Sequence, residues 1–178
     1  MLISQTLETP RLILRPVSAR DFLFFWRLVG NEDVRRFLGG PVPWTQRFAR
    51  FRSYLSLPTD VGVWIVQTRQ KRKQVGLIEL SPHKDGEDYE MSYQFHPKWW
   101  GRGFAREAAA CVIKHSLSGP RLDRIIAETQ SANHASCQLL EHLKMVELKR
   151  LQRFGAEQVI FAIQNSGAHR NSSMYEDR

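Results

Sequence analysis

Trp99-Trp100-Gly101-Arg102-Gly103-Phe104-Ala105-Arg106-Glu107-Ala108 decides how the rest of this chain is read. On its N-terminal side, Tyr89 to Phe95 has strand-like residues. On its C-terminal side, Ala105, Ala108, Ala109, Val112 and Ile113 recur at helical spacing and predict a helix over 104–117. The two glycines flanking Arg102 thus lie where a strand hands over to a helix. Glycine lets the backbone approach a ligand closely, and the first helical N–H groups have no partner within the helix. With the positive end of the helix dipole behind them, these N–H groups make an anion site suited to phosphate, with Arg102 and Arg106 on its flanks. The competing reading is a loop that needs glycine only for its turn. A P-loop is excluded because no Gly-Lys-Ser/Thr opens the helix, and a dinucleotide fingerprint because Arg106 stands where its third glycine belongs.

Working outward, Arg11 to Arg15 alternates apolar and polar residues, closes at Pro16 and predicts a first strand. Ser18 and Asp21 form a loose capping box for a helix over Phe22 to Val29. Gly39-Gly40-Pro41-Val42-Pro43 breaks the chain, and Thr45 opens a second helix carrying Phe48, Phe51 and Leu55 and stopped by Pro58. Val61–Thr68, Val75–Leu80 and Tyr89–Phe95 then read as an antiparallel meander, with the basic run Arg69 to Lys73 in one of its turns. Beyond the 104–117 helix come a strand over Arg124–Thr129, a helix over Asn133–Leu143, and a strand pair, Glu147–Phe154 and Gln158–Ile163, around Gly155. This order predicts one α+β domain over residues 1–163 and a polar, disordered tail over 164–178.

A chain of 178 residues can bury a continuous core without disulfides or a structural metal. No apolar run approaches the ~18 residues needed to cross a bilayer, and the start does not have the layout of a secretory signal. Two cysteines, Cys111 and Cys137, make neither a disulfide framework nor a metal centre, so the expectation is a cytoplasmic protein with no metal and no membrane partner. His83, His96, His115, His134 and His142 show no ligand spacing and read as surface or capping residues. Most of Phe22, Phe24, Phe25, Trp26, Phe37 and Trp44 read as core. A formal net charge of +8 favours anionic partners, although a solvated basic surface explains it equally well. No nucleic-acid-binding motif accompanies the charge.

The quoted loop resembles the coenzyme-A loop of the GNAT superfamily of N-acetyltransferases, with Gly103 and Ala105 on its glycine and small-residue positions. Leu7 to Pro16, Trp99 to Ala108, and Asn133-His134-Ala135-Ser136 with Leu139-Leu140-Glu141 are most similar to the Rim subgroup, which acetylates protein N-termini. The resemblance implies a mostly antiparallel mixed sheet flanked by helices, with acetyl-CoA as co-substrate. It implies a primary amine as acceptor, either a protein N-terminus or a small amine, and leaves a homodimer open. Trp100, Gly101, Arg102, Gly103, Phe104, Ala105, Arg106 and Asn133 fall on cofactor-binding positions. Glu90 falls on that of the strand glutamate used as a base. Leu140 stands where many members carry a tyrosine acid, and Ser136 is the nearest hydroxyl. Trp100 replaces a Gln or Arg of the loop. Lys144-Met145 replaces Gly-Phe, so the last helix is expected to end without the left-handed cap that glycine would supply. The basic composition suggests few acidic residues in the acceptor cleft and a peptide or weakly charged acceptor. A CoA-binding regulator without turnover and a nucleic-acid-binding module are the alternatives.

Overall fold

The computed structural model describes residues 5–86, 88–119 and 122–165. The strands are β1 (Leu7–Glu8), β2 (Leu12–Pro16), β3 (Gly62–Thr68), β4 (Gln74–Pro82), β5 (Tyr89–Phe95), β6 (Arg124–Gln130), β7 (Val146–Arg153) and β8 (Ala156–Gln164). They form one sheet in the order β1-β2-β3-β4-β5-β6-β8-β7. Every neighbouring pair is antiparallel except β5 and β6. The helices are α1 (Phe22–Val29), α2 (Glu32–Arg35), α3 (Trp44–Ser53), α4 (Phe104–Leu117) and α5 (His134–His142). The expected α+β domain with a mixed sheet is what the chain forms. Its last strand runs on to Gln164, whereas residues 166–178 of the expected tail lie outside the described residues.

Strand alternation sends side chains to two main cores, with a small third cluster of Ile126, Ile160 and Ala162. Leu12, Leu14, Trp64, Ile78, Leu80, Met91 and Ile125 meet Ala108, Ala109 and Val112 of α4 and Leu140 of α5 on one face. Val63, Ile65 and Leu77 meet Phe25 and Leu28 of α1 and Phe51 of α3 on the other. The Ser18–Asp21 box forms, and it is stronger than its sequence suggested. Asp21 is fully buried and accepts from Arg15 at 2.5 and 2.8 Å and from Gln74 at 2.6 Å. Burial raises the Asp21 carboxyl, but the bonds from Arg15 and Ser18 and the charge of Arg15 outweigh it and hold the group below its usual range.

The second helix is shorter than its aromatic spacing predicts. It stops at Ser53, and only Phe51 of the expected apolar positions is buried, while Phe48 and Leu55 are exposed. Of the six aromatic residues, most of which read as core, Trp44 is 71% exposed. Helix α5 also departs from expectation: Lys144 does adopt the left-handed conformation, with φ 64°. Its N–H bonds the Glu141 carbonyl and that of Met145 the Leu140 carbonyl, closing the helix as a glycine would have done.

Candidate functional site

The sheet opens where β5 meets β6. Only Tyr89 with Ile125 and Glu90 with Ile126 are paired there, after which the strands part. Beyond the split lies a cavity of about 1370 Å³, bounded by the Gly101–Arg106 loop on one side and by Phe37, Leu38, Glu79 and Glu90 on the other. The chain therefore provides a passage through the sheet plane, from the start of α4 to the face carrying α1 and α3.

At one end of that passage, Gly101 and Gly103 have φ of 70° and 73°. Gly103 is the N-cap of α4, so helix geometry leaves the N–H groups of Phe104, Ala105 and Arg106 without intrahelical acceptors. The turn is pinned from behind. Glu107 accepts from Arg11 Nε and from the Thr9 hydroxyl, each at 2.6 Å, and Arg11 Nη1 donates to the Arg102 carbonyl at 2.9 Å. The guanidinium of Arg102 lies 5.2 Å above the Trp99 ring. Trp100 differs from its neighbours in having its donors in use: its indole N–H bonds the Phe95 carbonyl at 2.6 Å and its backbone N–H the Pro97 carbonyl at 3.0 Å. It shapes the loop and brings no spare donor. The remaining loop residues form a cradle of N–H groups and arginines that fits a pyrophosphate.

Asn133 and Ser136 lie at the start of α5, against the same cavity. Asn133 caps the helix by accepting from the Ser136 N–H at 3.3 Å, which leaves its amide nitrogen to donate elsewhere. The Ser136 hydroxyl is 2.7 Å from that of Tyr93, on β5. Burial pushes the Tyr93 phenol up to about 12, against the opposing effect of the Ser136 bond, so it is neutral at any ordinary pH. Sequence reasoning missed Tyr93. Its only signal was a tyrosine three residues after Glu90 in the strand leading to the loop, and the α5 hydroxyl it meets is 43 residues away.

Glu90 stands at the point where the strands part. The registers Ser81–Glu90, Glu79–Ser92 and Glu90–Ile126 put Glu79, Glu90 and Glu128 on one face of the sheet. This corrects the expectation of a cleft poor in acids: the three are scattered in sequence and gathered by register. They differ in their surroundings. Glu128 accepts from Arg153 Nε at 2.7 Å and pairs with Arg153 Nη2 as well. Glu79 accepts from the Tyr54 hydroxyl at 2.8 Å. Among the described residues, no donor is hydrogen-bonded to the Glu90 carboxylate. Burial raises the Glu90 carboxyl above its usual range, with Glu128 and Glu79 adding to the shift and His83 and Arg153 opposing it.

His83, expected at the surface or in a cap, accepts the Asp85 N–H at 3.3 Å as a turn cap but is buried. It is 7% exposed, with Nε2 3.6 Å from Glu128 and 3.9 Å from Glu90. His96 does cap a turn, accepting from the Lys98 N–H. Cys111 and Cys137 are half-buried against the larger core.

Comparison with known proteins decides the family. The model for the acetyltransferase (GNAT) domain matches residues 11–146, most of the chain. The chain belongs to the GNAT acetyltransferases. It is 30% identical over 147 residues to the uncharacterized N-acetyltransferase YoaA of Bacillus subtilis, spanning 78% of this chain and 80% of that one. It is also 27% identical over 144 residues to FsC-acetyl coenzyme A-N(2)-transacetylase of Aspergillus fumigatus, covering 74% of this chain and 60% of that protein. Among solved structures, an acetyltransferase (GNAT family) from Bacillus anthracis superposes with a TM-score of 0.79 at 20% identity, covering 90% of this chain and 99% of its own. Spermidine N-acetyltransferase from Vibrio cholerae, in complex with CoA and spermine, does so with a TM-score of 0.77 at 20% identity, covering 89% and 98%. This GNAT domain is thus an acetyltransferase that uses acetyl-CoA. Among the described residues, none of its helices is long and apolar enough to cross a membrane.

Proposed function

We propose that this chain transfers an acetyl group from acetyl-CoA to a primary amine by direct attack in a ternary complex, with Glu90 as the base. Acetyl-CoA supplies an activated acyl thioester. Gly101, Arg102, Gly103, Phe104, Ala105 and Arg106 hold its pyrophosphate, the backbone of Trp100 shapes their turn, and Asn133 donates to the pantetheine arm. The observation that carries the reading is the position of Glu90. It sits at the last β5–β6 pair, on the edge of the opening, with a raised carboxyl and no bonded donor among the described residues.

An amine in water is mostly protonated at neutral pH and must lose its proton before it can attack. Glu90 takes that proton at its carboxylate, directly or through one water, and its raised pKa narrows the gap to the amine. Ser136 offers a hydroxyl toward the departing sulfur, and Tyr93 fixes that hydroxyl from behind. Much of the rate comes from holding the two reactants side by side.

The charge in the cleft bears on the acceptor. Glu128 is matched by Arg153, whereas Glu79 accepts from the neutral Tyr54 hydroxyl and keeps its charge, so Glu79 and Glu90 both present negative charge to a cationic amine. The Rim-like motifs favour a peptide N-terminus as that amine. The test is CoA release in the presence of a peptide with a free N-terminus, the same peptide with a blocked N-terminus, and spermidine. The free peptide is expected to turn over fastest and the blocked peptide not at all. Glu90→Gln should lower kcat about 100-fold while changing acetyl-CoA affinity little. An unchanged kcat in that variant would remove Glu90 as the base.

A further inference from the structure

The wall of the cavity opposite the glycine loop carries two arginines that the chemistry described so far leaves unused. Arg35 closes α2 and Arg50 lies on α3, and both line the cavity. Arg35 is 9% exposed and is held by the turn that follows it. Its Nε donates to the Gly40 carbonyl at 3.0 Å and its Nη2 to that of Leu38. Those bonds fix the guanidinium without neutralising it. Among the described residues, neither Arg35 nor Arg50 forms an ion pair, although Asp33 lines the same cavity.

Two neighbouring cations without a counter-ion repel each other, the more so where one is buried. Burial, and then the charge of Arg50, hold the Arg35 guanidinium below its usual range, with Tyr54 opposing them. A guanidinium stays protonated all the same, so the pair gives this wall a net positive charge. Pinning the turn needs Arg35 alone, and Arg50, an exposed residue of another helix, adds only repulsion to it. Tyr54 joins this positive wall to the acids. It is 8% exposed and donates its hydroxyl to Glu79 at 2.8 Å. Burial and the charge and bond of Glu79 push its phenol up, while Arg50 opposes them, so both charges reach one hydroxyl. Glu79 shares a strand face with Ser81, the partner of Glu90. The cavity therefore offers carboxylates and unmatched guanidiniums about a single tyrosine.

We infer that Arg35 and Arg50 form a carboxylate-binding subsite, so that the acceptor is an amine bearing a carboxylate a few bonds away. Its ammonium faces Glu79 and Glu90, and its carboxylate faces the two guanidiniums. The inference rests on reading this cavity as the acceptor cleft and adds to it the groups that choose among acceptors. A guanidinium matches a carboxylate with two parallel N–H bonds, which fixes orientation as well as charge. The carboxylate is that of an acidic side chain at the start of a peptide or that of a free amino acid. A polyamine, cationic along its length, meets the same wall with like charge.

The test measures kcat and KM for CoA release by the full chain with free aspartate and with three amidated peptides. The peptides begin with alanine and differ only in the second residue, which is aspartate, alanine or lysine. The expected order of kcat/KM is aspartate, then alanine, then lysine, with at least about tenfold between the first and last, expressed mainly in KM. Arg50→Gln should raise KM for the aspartate peptide about tenfold and cost the alanine peptide far less. Arg50→Glu should reverse the order of the aspartate and lysine peptides. Because Arg50 is exposed on α3, neither change removes core packing, and calorimetric affinity for acetyl-CoA checks each variant's fold. Free aspartate as the better acceptor, with the same dependence on Arg50, would support the subsite and place the carboxylate on an amino acid's main chain. Equal kcat/KM for the three peptides, or an unchanged order in Arg50→Glu, would overturn the subsite while leaving the cavity as the acceptor cleft. Turnover of none of these acceptors, with acetyl-CoA bound, would remove the acceptor reading and the subsite with it.

Discussion

Replacing Tyr93 with phenylalanine removes one oxygen from the candidate site and leaves the ring in its core. In the wild type, that oxygen lies 2.7 Å from Ser136 Oγ, well within the range of a sound O–H···O bond. With the phenol pushed up to about 12, it is present as neutral O–H throughout any practical assay range. The bond is therefore constant with pH, and its loss should leave the shape of the pH–rate profile unchanged below about pH 10. A neutral hydrogen bond contributes about 1 kcal/mol net, so an Ser136 hydroxyl released from Tyr93 should lose about that much of its support for the departing sulfur. Converted to rate, this is a fall in kcat of about 3- to 10-fold, with a smaller change in KM for acetyl-CoA. The assay is colorimetric detection of released CoA thiol with a free-N-terminus peptide. Ser136→Ala should cause at least as large a fall, and the double variant should be no worse than Ser136→Ala alone, because both changes break one chain of hydroxyls. Full additivity of the two losses, or an unchanged kcat in Tyr93→Phe beside a reduced one in Ser136→Ala, would refute a shared role.

Asp21→Asn should cost about 3 kcal/mol, since it leaves Arg15, 12% exposed, without its counter-charge; a fall in Tm on the order of 6–12 °C in thermal melts is expected. Because the folded-state pKa of Asp21 lies below its ordinary 3.8, its contribution is complete above that pH and is lost as the pH falls through the folded value. The wild-type advantage over Asp21→Asn should shrink in melts below about pH 4. Lys144→Gly relieves a left-handed lysine and should raise stability by about 1 kcal/mol, or a few degrees in Tm; a lowered Tm would mean that the cap does not hold this geometry. Gly103→Val should weaken acetyl-CoA binding by at least about tenfold in calorimetry, because a β-branched residue strains the φ of 73° that holds the turn, with its Cβ against Arg11 Nη2 at 3.4 Å. Undiminished affinity would move the pyrophosphate elsewhere.

The parts of this protein that could be read from its sequence are those set by neighbours along the chain. Helix α4 runs from Phe104 to Leu117 as expected, because a left-handed glycine starts it and an uninterrupted apolar face sustains it. The meander strands were marked by polar turns between β-branched runs. Helix α2 and strand β1 are four and two residues long, too short to show a period. Aromatic spacing misled at α3, where Phe48 and Trp44 face outward and Phe51 alone of the expected positions is buried. The glycine loop could be read because its residues adjoin one another along the chain, and Glu90 was singled out only by its resemblance to the family's strand glutamate. Tyr93 with Ser136, and His83 with Glu128 and Arg153, become neighbours only through strand register. The His83–Arg153 contact joins residues 70 apart. No local pattern distinguishes such a histidine from one that merely ends a turn.

A crystal structure with CoA tests the central claim most directly. The account predicts pyrophosphate oxygens within hydrogen-bond distance of the backbone N–H groups from Gly103 to Arg106. It also predicts the pantetheine arm passing Asn133 and the sulfur emerging between β5 and β6, near Ser136 and on the way to Glu90. CoA bound away from that opening, or with its sulfur remote from both side chains, would contradict it.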